Sequence, residues 1–523
     1  MNLSNAILGI ELGSTRIKAV LIDENHQVIA TGGYAWENRL EDGVWVYHLE
    51  DAVAGVRACY SELRNNVEEK FGQPLKRVAA IGISGMMHGY LVFDKDGRQI
   101  APFRTWRNTI TGAAAAELTE LFRFNIPQRW SIAHLYQAIL NKEDHVPAIG
   151  KLTTLSGYIH GLLTGKHVIG IDEASGMFPY DDEIKNFDAG RLAQFDTLVQ
   201  PYNFPWTLND ILPAVLPAGA LAGTLTAEGA ALLDETGTLE AGIPMCPPEG
   251  DAGTGMVATG AVLPRTGSIS AGTSSFSLQV LERPLKGYYP EIDVVATPAG
   301  KTVAMAHTNT CTSEIDAWVN LIADAAAAMG WPVDKNELFP AMYRKALEGS
   351  ADCDGIIAFN YFAGEPLTHT ENGRPMLVRL PDSKLTIANL MRSQLYGAIA
   401  TLKIGMDMLA REENVESDTL LGHGGFFKTP GVGQQILADA LNVPISTMET
   451  AGEGGPWGMA LLASYMYRKE ESETLEEYLT NKVFCNARSI SIQPDPAGVA
   501  GFRTYMERYQ ACIPAQQAAE ALQ

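Results

Sequence analysis

The sequence lacks the cysteine and histidine patterns that mark metal and redox sites. Six cysteines occur in 523 residues, and no two of them have CxxC spacing. The ten histidines contain no HExxH motif. Because zinc sites and disulfide frameworks need paired or regularly spaced ligands, the pattern predicts reduced thiols and no zinc site.

Two common nucleotide-binding signatures are also missing. The segment nearest to a P-loop, residues 161–167, has the wrong spacing and no Ser or Thr after its lysine. Residues 253–258 imitate a dinucleotide fingerprint. They lack a clear preceding strand and an acid about twenty residues later. Neither P-loop nor Rossmann chemistry is therefore indicated.

Long apolar runs and positive charge are scarce as well. No apolar run approaches the roughly 18–20 residues that cross a bilayer, and residues 1–5 do not form a basic stretch leading into an apolar one. The net charge is −22, from 39 basic and 61 acidic residues. Such an acidic surface repels phosphate backbones and anionic lipid. We expect a cytoplasmic protein that binds neither nucleic acid nor membrane, and the sequence leaves a homodimer open.

What the sequence does contain is the alternation typical of an α/β protein. Apolar residues make up 46% of the chain, and its 523 residues predict two to four domains at ~150 residues each. Strand candidates at 7–12 and 78–84 flank an amphipathic helix candidate at about 50–70, and further helix candidates lie at about 312–329 and 390–413. Strands alternating with helices predict the α/β fold class.

The opening strand–turn–strand pattern returns in the second half of the chain. The turns Gly13-Ser14-Thr15 and Gly272-Thr273-Ser274 each lie between two strand candidates. A pattern that begins both halves favours a duplicated architecture. We predict one domain over residues 1–257 and a second over residues 258–523, divided near the Gly/Ala-rich stretch 253–260.

Three glycine-rich turns are candidates for phosphate binding. They are Gly13-Ser14-Thr15, Gly272-Thr273-Ser274 and Gly422-His423-Gly424-Gly425. Backbone N–H groups can approach a phosphate closely where no Cβ intervenes. A plain hairpin turn explains each of them singly, whereas three in one α/β chain indicate phosphate binding.

Polar residues that could hold and activate a small hydroxylated substrate form a second group. Asp251 lies in a Gly-flanked bend and is either a general base or an Asx turn. His88 follows the strand candidate at 78–84, where ligand sites of open α/β sheets gather, and it either bonds a sugar hydroxyl or has a structural role. Arg104 and Trp106 offer donors and an aromatic face for a sugar, or a packed Trp with a surface Arg.

These residues, in this order, resemble the FGGY family of carbohydrate kinases, most of all its xylulose kinases, over roughly residues 6–470. Each matching segment is short, and their collinearity carries the resemblance. In chain order they are Gly9-Ile10-Glu11-Leu12-Gly13-Ser14-Thr15, Ile81 to Gly89 with Met87-His88-Gly89, Ala101 to Trp106, Asp172-Glu173-Ala174-Ser175-Gly176, Gly250-Asp251, Gly272-Thr273-Ser274, Gly364-Glu365, Gly424-Gly425 and Glu453-Gly454.

The resemblance implies two ribonuclease-H-like, actin-like ATPase domains with an interdomain cleft for ATP and sugar. It also implies a kinase that uses ATP and Mg²⁺ to phosphorylate a terminal hydroxyl of a small-molecule sugar, a ketopentose and first of all xylulose. By the resemblance Asp251 is the catalytic base and, with Glu11, a metal ligand. The sugar-binding positions are Met87, His88, Arg104 and Trp106, and the nucleotide-binding positions are Gly13, Ser14, Thr15, Gly272, Thr273, Ser274, Gly424 and Gly425.

Departures from the family pattern leave alternatives open. Glu11 stands where the family usually has Asp, Met86 stands where Gln is usual, and residues 106–110 lack the Asp and Arg of the W-x-D-x-R pattern. The same chemistry on ribulose, fuculose or a sugar acid is therefore an alternative. A non-catalytic, actin-like ATP-binding sensor is the alternative from another class, and the retained Asp251 argues against it.

Overall fold

A computed structural model of the chain describes residues 2–448, 454–485, 487 and 489–522. Glu453, part of the family pattern noted above, lies outside the described residues. The chain forms two compact units, each built from three segments. Unit 1 comprises Met1–Val262, Tyr288–Val303 and Thr450–Ala487, and unit 2 comprises Leu263–Gly287, Ala304–Glu449 and Arg488–Gln523. The sugar-binding and nucleotide-binding roles assigned to residues 1–257 and 258–523 stay predictions.

Strands and helices alternate along both units, which confirms the α/β class. The strands are β1 Ile7–Leu12, β2 Arg16–Ile22, β3 Val28–Ala35, β4 Arg39–Glu41, β5 Val44–Tyr47, β6 Ala80–Gly85, β7 Leu91–Phe93, β8 Phe103–Arg104, β9 Lys151–Thr153, β10 Val168–Gly170, β11 Tyr180–Asp181, β12 Asn186–Phe187, β13 Ala214–Leu216, β14 Gly223–Thr224, β15 Pro244–Met245, β16 Glu249–Gly250, β17 Thr266–Ala271, β18 Ser275–Val280, β19 Ile292–Ala296, β20 Thr302–Thr308, β21 Ile356–Asn360, β22 Pro375–Arg379, β23 Thr419–His423, β24 Ile445–Met448 and β25 Ser489–Ile492.

The α-helices pack against these strands. They are α1 Leu49–Phe71, α2 Gly112–Phe122, α3 Ser131–Leu140, α4 Leu155–Thr164, α5 Ile171–Ser175, α6 Ala189–Val199, α7 Leu208–Ile211, α8 Ala227–Leu233, α9 Asp251–Thr259, α10 Ser313–Ala328, α11 Lys335–Ala346, α12 Ile387–Glu413, α13 Val432–Leu441, α14 Gly454–Arg468, α15 Leu475–Tyr478 and α16 Pro496–Ala518. Within the described ranges, none of these helices combines the length and apolarity that spanning a bilayer requires.

The central sheet of unit 1 has the strand order β14-β15-β6-β1-β2-β3, with β16 also paired to β6. Strands β1 and β2 form an antiparallel hairpin, and β6 runs parallel to β1. Strand β16 runs parallel to β6, with Gly250 opposite Gly85. The carboxyl ends of β1, β6 and β16 therefore meet at one edge of the sheet.

Unit 2 repeats this arrangement. Its strands follow the order β20-β18-β17-β23-β24-β25. Strands β17 and β18 form an antiparallel hairpin, and β23 runs parallel to β17 with His423 opposite Ser270. Each unit thus has a hairpin beside a parallel strand, as the repeated turn pattern of the sequence predicts.

Helix α1 shows how the apolar pattern fixes the core of unit 1. The prediction of a helix at about 50–70 is confirmed by α1, which buries Val56, Tyr60, Leu63 and Val67 completely. These residues recur every three or four positions, so they lie on one face of the helix. Gly72 ends the helix with φ 64°, a conformation that glycine adopts without strain.

The Gly/Ala-rich stretch at 253–260 is mostly helix, because residues 251–259 form α9. Its small residues let α9 approach α14 closely. A Cβ placed on Gly458 of α14 would overlap the carbonyl of Thr254 and come within 3.2 Å of its Cα. Gly458 therefore serves the packing of α14 on α9, and α14 in turn covers Gly9 of β1 and Gly82 of β6.

Candidate active site

Three predicted site segments of unit 1 meet at the edge where β1, β6 and β16 end. The turn Gly13-Ser14-Thr15 follows β1, Met87 and His88 follow β6, and Asp251 follows β16. Ligand sites of open α/β sheets form outside the carboxyl ends of the strands. The topology therefore brings candidate phosphate, sugar and base residues to one place.

Asp251 is the first residue of α9, and Gly250 is the N-cap. The bend predicted from the sequence is thus a helix start rather than an Asx turn. Asp251 is accessible to solvent, yet desolvation by the surrounding protein raises its pKa to about 6. Backbone N–H groups of Met87 and Ala252 donate to the carboxylate and oppose that rise. A carboxylate held this way can accept a proton near neutral pH.

Glu11 is a half-buried carboxylate at the end of β1, opposite Lys18 of β2. Burial and the negative charge of Asp251 raise the pKa of Glu11, Lys18 lowers it, and together they bring it to about 7. Glu11 Oε2 lies 1.4 Å from the position that a Cβ on Gly455 would occupy, and Gly455 is in the first turn of α14. A helix N-terminus favours a carboxylate, and glycine at 455 leaves the space for it.

The turn Gly13-Ser14-Thr15 is held by two aromatic residues, Trp36 directly after β3 and Tyr47 at the end of β5. Trp36 Nε1 donates to the Gly13 carbonyl at 2.7 Å, and the Tyr47 hydroxyl donates to the Ser14 carbonyl. The Trp36 N–H donates to the Thr15 carbonyl at 3.2 Å. Because these carbonyls are engaged, they do not face an approaching anion.

Trp106 lies next to this turn. Its Nε1 donates to Ser14 Oγ at 3.2 Å, and the residue is 39% exposed. Asn108 fixes the loop by pairing with both backbone groups of Trp45, each at 2.8 Å. The structure therefore joins a predicted sugar residue to a predicted phosphate residue, and Asn108 stabilises the loop that departs from W-x-D-x-R.

His88 is buried and has φ 70°. Its Nδ1 donates to the Gly176 carbonyl at 2.9 Å, which leaves Nε2 as the acceptor of a neutral imidazole. Burial and the nearby positive charge of Arg129 lower the pKa of His88 to about 3. Gly176 is required, because a Cβ there would come within 2.8 Å of both His88 Nδ1 and Met87 Cε.

Arg104 takes part in an ion pair instead of standing free. Its guanidinium bonds both carboxylate oxygens of Glu143, with Nη1 at 3.1 Å from Oε1, and lies 5.2 Å from the centre of the Tyr90 ring. The side chain is 12% exposed. Direct contact of Arg104 with a sugar stays a prediction.

Behind Asp251 lies a buried carboxyl cluster that sequence analysis missed, consisting of Asp172, Glu173 and Glu249. Asp172 Oδ2 accepts the Gly250 N–H at 3.0 Å, and Glu249 Oε2 accepts the Glu173 N–H at 3.3 Å. Burial raises the pKa of Asp172 to about 8 and raises those of Glu173 and Glu249 well above their usual range. Acids that directly follow apolar stretches are the signal that could have revealed the cluster.

The nucleotide candidates of unit 2 also come together. Gly424, with φ 102°, packs against the backbone of Ala271, directly before Gly272-Thr273-Ser274. Among the described atoms, none lies within 4 Å of a Cβ placed on Gly272 or Gly425. Both turns follow parallel strands of the sheet, so their backbone groups lie at one edge with room for a ligand.

A buried glutamate supports the turn Gly272-Thr273-Ser274 from behind. Glu365 accepts the N–H groups of Asn309 at 3.1 Å and Thr310 at 2.9 Å. The next two residues bond the turn: the Cys311 N–H donates to the Thr273 carbonyl at 2.8 Å, and the Thr312 N–H donates to the Gly272 carbonyl at 3.0 Å. Burial raises the pKa of Glu365 to about 7.

The two carboxylates near the turn, Glu11 and Asp251, are too few to hold a metal ion by themselves. They suit Mg²⁺, which also takes oxygen ligands from substrate phosphates and water. Among the described residues, no group of three or more His, Cys, Asp and Glu is arranged to hold a metal. Glu11 and Asp251 lie close enough for the charge of Asp251 to raise the pKa of Glu11. Mg²⁺ commonly binds through one or two carboxylates plus substrate phosphates and water.

The two-domain α/β fold, with a hairpin beside a parallel strand and glycine-rich turns in each unit, is the fold of carbohydrate kinase structures. The chain belongs to the FGGY family of carbohydrate kinases: the N-terminal domain of the family matches residues 6–258 and the C-terminal domain matches residues 267–467. Sugar kinases of this family use ATP as phosphate donor.

Individual relatives carry a more specific name. Xylulose kinase of Haemophilus influenzae is 23% identical over 523 residues, and the alignment covers 96% of this chain and 98% of that kinase. Xylulose kinase of Escherichia coli is 23% identical over 482 residues, covering 89% and 91%. The crystal structure of xylulose kinase from Rhodospirillum rubrum matches with a TM-score of 0.79 at 19% identity, covering 99% of this chain and 100% of that one. These full-length likenesses confirm the resemblance to xylulose kinases.

Proposed function

We propose that this protein transfers the γ-phosphoryl group of ATP to a terminal hydroxyl of a ketopentose, with xylulose as the substrate. The observation that carries the proposal is Asp251, a carboxylate with raised pKa at the strand edge that also holds Met87 and His88. The full-length relatives named xylulose kinase support the choice of sugar. We also propose a cytoplasmic location, where thiols stay reduced.

In the proposed mechanism Asp251 accepts the proton of the attacking hydroxyl. The N–H groups of Met87 and Ala252 donate to the carboxylate and thereby orient it. A pKa of about 6 keeps Asp251 mainly ionised above neutral pH while leaving it basic enough to bind a proton. General base catalysis of this kind contributes about 10²–10⁴ in rate.

Sugar recognition follows from the tautomer of His88. Because Nδ1 donates to Gly176, Nε2 accepts a hydrogen bond from a sugar hydroxyl and cannot donate one. The exposed face of Trp106 packs against the sugar, and Met87 supplies apolar contact beside it. Arg104 contributes by holding its own strand β8 through Glu143. The site therefore selects a neutral polyhydroxylated substrate.

The glycine-rich turns have backbone N–H groups that can donate to phosphate. We assign Gly13, Ser14 and Thr15 to phosphate, and the sets Gly272-Thr273-Ser274 and Gly424-Gly425 to the nucleotide. Glu11 and Asp251 would hold Mg²⁺, which neutralises phosphate charge when bound. Glu11 differs from the usual Asp by one methylene group, and its contact with Gly455 gives the longer side chain a defined place.

The identity of the sugar is tested by ADP release. Purified enzyme with Mg²⁺-ATP is offered xylulose, ribulose, fuculose, gluconate and glycerol, and kcat/KM is measured for each. We expect the highest kcat/KM for xylulose, with one xylulose 5-phosphate formed for each ADP released. A higher kcat/KM for another sugar would replace xylulose and keep the kinase chemistry. No sugar-dependent ADP release, together with measurable ATP binding, would favour the ATP-binding sensor.

A further inference from the structure

We propose that Asp172 is a positioning residue that fixes the catalytic carboxylate of Asp251 by capping helix α9 from a distant part of the chain. The inference rests on the proposed function, because it concerns the base of that reaction. Asp172 belongs to the buried carboxyl cluster and has no part in substrate contact.

The start of α9 has no side chain of its own to cap it. Its N-cap is Gly250, whereas N-caps are usually Ser, Thr, Asp or Asn, whose side-chain oxygens accept the first free N–H groups of the helix. Here Asp172, 78 positions earlier, accepts the Gly250 N–H at 3.0 Å and also the Gly253 N–H. These two N–H groups lie on either side of Asp251. The carboxyl of Asp172 therefore holds the backbone that carries the base.

The glycines at 250 and 253 make this approach possible. A Cβ on Gly250 would lie 2.7 Å from Asp172 Oδ2, and a Cβ on Gly253 would lie 2.5 Å from the same oxygen. Any side chain at either position would push Asp172 away from the backbone. Asp172 itself is completely buried in the first turn of α5, so its carboxyl has little freedom to move.

The segment that carries Asp172 also holds the sugar side of the site. Gly176, just after α5, accepts the Nδ1–H of His88. Residues 172–176 thus bond both the backbone at Asp251 and the ring of His88. Because one short segment supports the base and a sugar contact, it sets the distance between the carboxylate and the substrate hydroxyl. Loss of the cap by Asp172 is expected to affect the chemical step more than binding.

The test compares Asp172→Ala, Asp172→Asn and a control variant, Asp234→Ala. Asp234 is likewise buried in unit 1 and accepts backbone N–H groups, from Thr238 at 3.0 Å and Leu239 at 2.9 Å, but it caps a loop that has no bond to Asp251. For Asp172→Ala we expect kcat to fall about tenfold or more, with KM for xylulose and for ATP within about twofold. Asp172→Asn keeps an acceptor oxygen and should retain kcat within about threefold. Asp234→Ala should lower Tm and leave kcat unchanged.

Amide hydrogen exchange gives a readout that does not depend on turnover. Asp172→Ala should speed exchange at Gly250 and Gly253 about tenfold, whereas Asp172→Asn should match the wild type. If Asp172→Ala does not fold, Asp172→Ser replaces it in both measurements, with the same expectations. Wild-type kcat in the alanine or serine variant, equal losses of kcat in Asp172→Ala and Asp172→Asn, or unchanged exchange would each overturn the positioning role. A wild type without sugar-dependent turnover would instead remove the proposed function.

Discussion

At the scale of the residue, four acidic side chains in unit 1 acquire different properties from their surroundings. Asp251 reaches solvent and has a pKa near 6, whereas Asp172 is completely buried with a pKa near 8. Glu173 and Glu249 are buried beside Asp172. Each of the three buried carboxyls has one oxygen with no hydrogen-bond partner among the described atoms. A proton on that oxygen removes the charge that burial disfavours.

The raised pKa of Asp172 predicts a pH-dependent effect on stability. Below about pH 4 the carboxyl is protonated in folded and unfolded chains alike. Between there and about pH 8 only the folded chain keeps the proton, so the contribution of Asp172 to the free energy of unfolding falls as pH rises. Asp172→Asn imitates the protonated form. Its Tm should therefore exceed that of the wild type by an amount that grows from pH 5 to pH 8, at about 1 °C for each kcal/mol in a chain of 523 residues.

Differential scanning calorimetry of both proteins at several pH values measures this difference in Tm. Asp234→Asn is the matched control, because hydrogen bonds from Thr236 and Leu239 and the charge of Arg64 lower the pKa of Asp234 against the effect of its burial. In that variant the loss of Tm should stay constant from pH 5 to pH 8 and shrink only below about pH 4, where Asp234 of the wild type becomes protonated. A difference between Asp172→Asn and wild type that does not change with pH would show that Asp172 is ionised in the folded protein.

Sequence reasoning found Asp251 but not its surroundings, for a physical reason. Asp251 is preceded by Gly250, and Gly253 follows two positions later, so that local pattern is visible in the sequence. Its support comes from Asp172, 78 positions away, through a hydrogen bond that only the folded sheet creates. Glu249 is close to Asp251 in the sequence, but its burial depends on Gly170, which is far away in the sequence. The Glu249 carboxylate lies so close to Gly170 that a Cβ on Gly170 would overlap it. The sequence shows which chemical groups are neighbours along the chain, but it does not show how deeply each group is buried.

At the scale of the element, the regular helices and strands were the most predictable part. Helix α12, predicted at about 390–413, is confirmed at Ile387–Glu413 because its length gives the apolar period many repeats. The stretch 253–260 shows the opposite case. Small residues give no apolar period, so α9 is invisible until its contact with α14 is known.

The close packing of α9 and α14 makes a prediction about stability. In Gly458→Ala the new methyl group would overlap the Thr254 carbonyl, a backbone atom that cannot move without the helix. We expect a loss of about 1–3 kcal/mol in the free energy of unfolding. Gly255→Ala is the control within the same helix pair, because its Cβ would meet no described atom within 4 Å. That variant should gain about 0.5–1 kcal/mol. Denaturant titration measures both, and equal effects would contradict the packing account.

The support of the turn Gly272-Thr273-Ser274 by Glu365 predicts a selective effect on ATP. The Asn309 N–H donates to Glu365 Oε2 and the Thr310 N–H to Oε1, so Glu365→Gln, which replaces one of these oxygens by an NH₂ group, leaves one of the two N–H groups without its acceptor. The segment that bonds the turn then loosens. KM for ATP should rise about threefold to tenfold, while KM for the sugar stays unchanged.

Initial-rate kinetics with each substrate varied in turn separates the two constants. The matched control is Glu413→Gln, another buried glutamate of unit 2, which accepts the N–H groups of Lys286 at 3.0 Å and Gly287 at 2.8 Å. It should leave both constants unchanged. An equal rise in the two KM values for Glu365→Gln would point to general destabilisation and remove the selective role.

At the scale of the whole molecule, the repeat of a hairpin beside a parallel strand accounts for most of what the sequence could predict. The turns after β1 and β17 occupy the same place in their sheets, and both were identified from glycine and hydroxyl residues alone. The interleaving of the two units was not predicted, since residues 288–303 and 450–487 return to unit 1 from the second half of the chain. Such returns depend on contacts between distant segments, which local patterns do not encode.

We propose Asp251 as the base of an ATP-dependent ketopentose kinase. The most direct measurement is ADP release with Mg²⁺-ATP and xylulose by wild type and Asp251→Asn, with calorimetric titration of ATP and xylulose into both. We expect sugar-dependent turnover in the wild type, a loss of about 10² or more in kcat for Asp251→Asn, and retained binding of both ligands. Turnover in Asp251→Asn at the wild-type rate would contradict the claim.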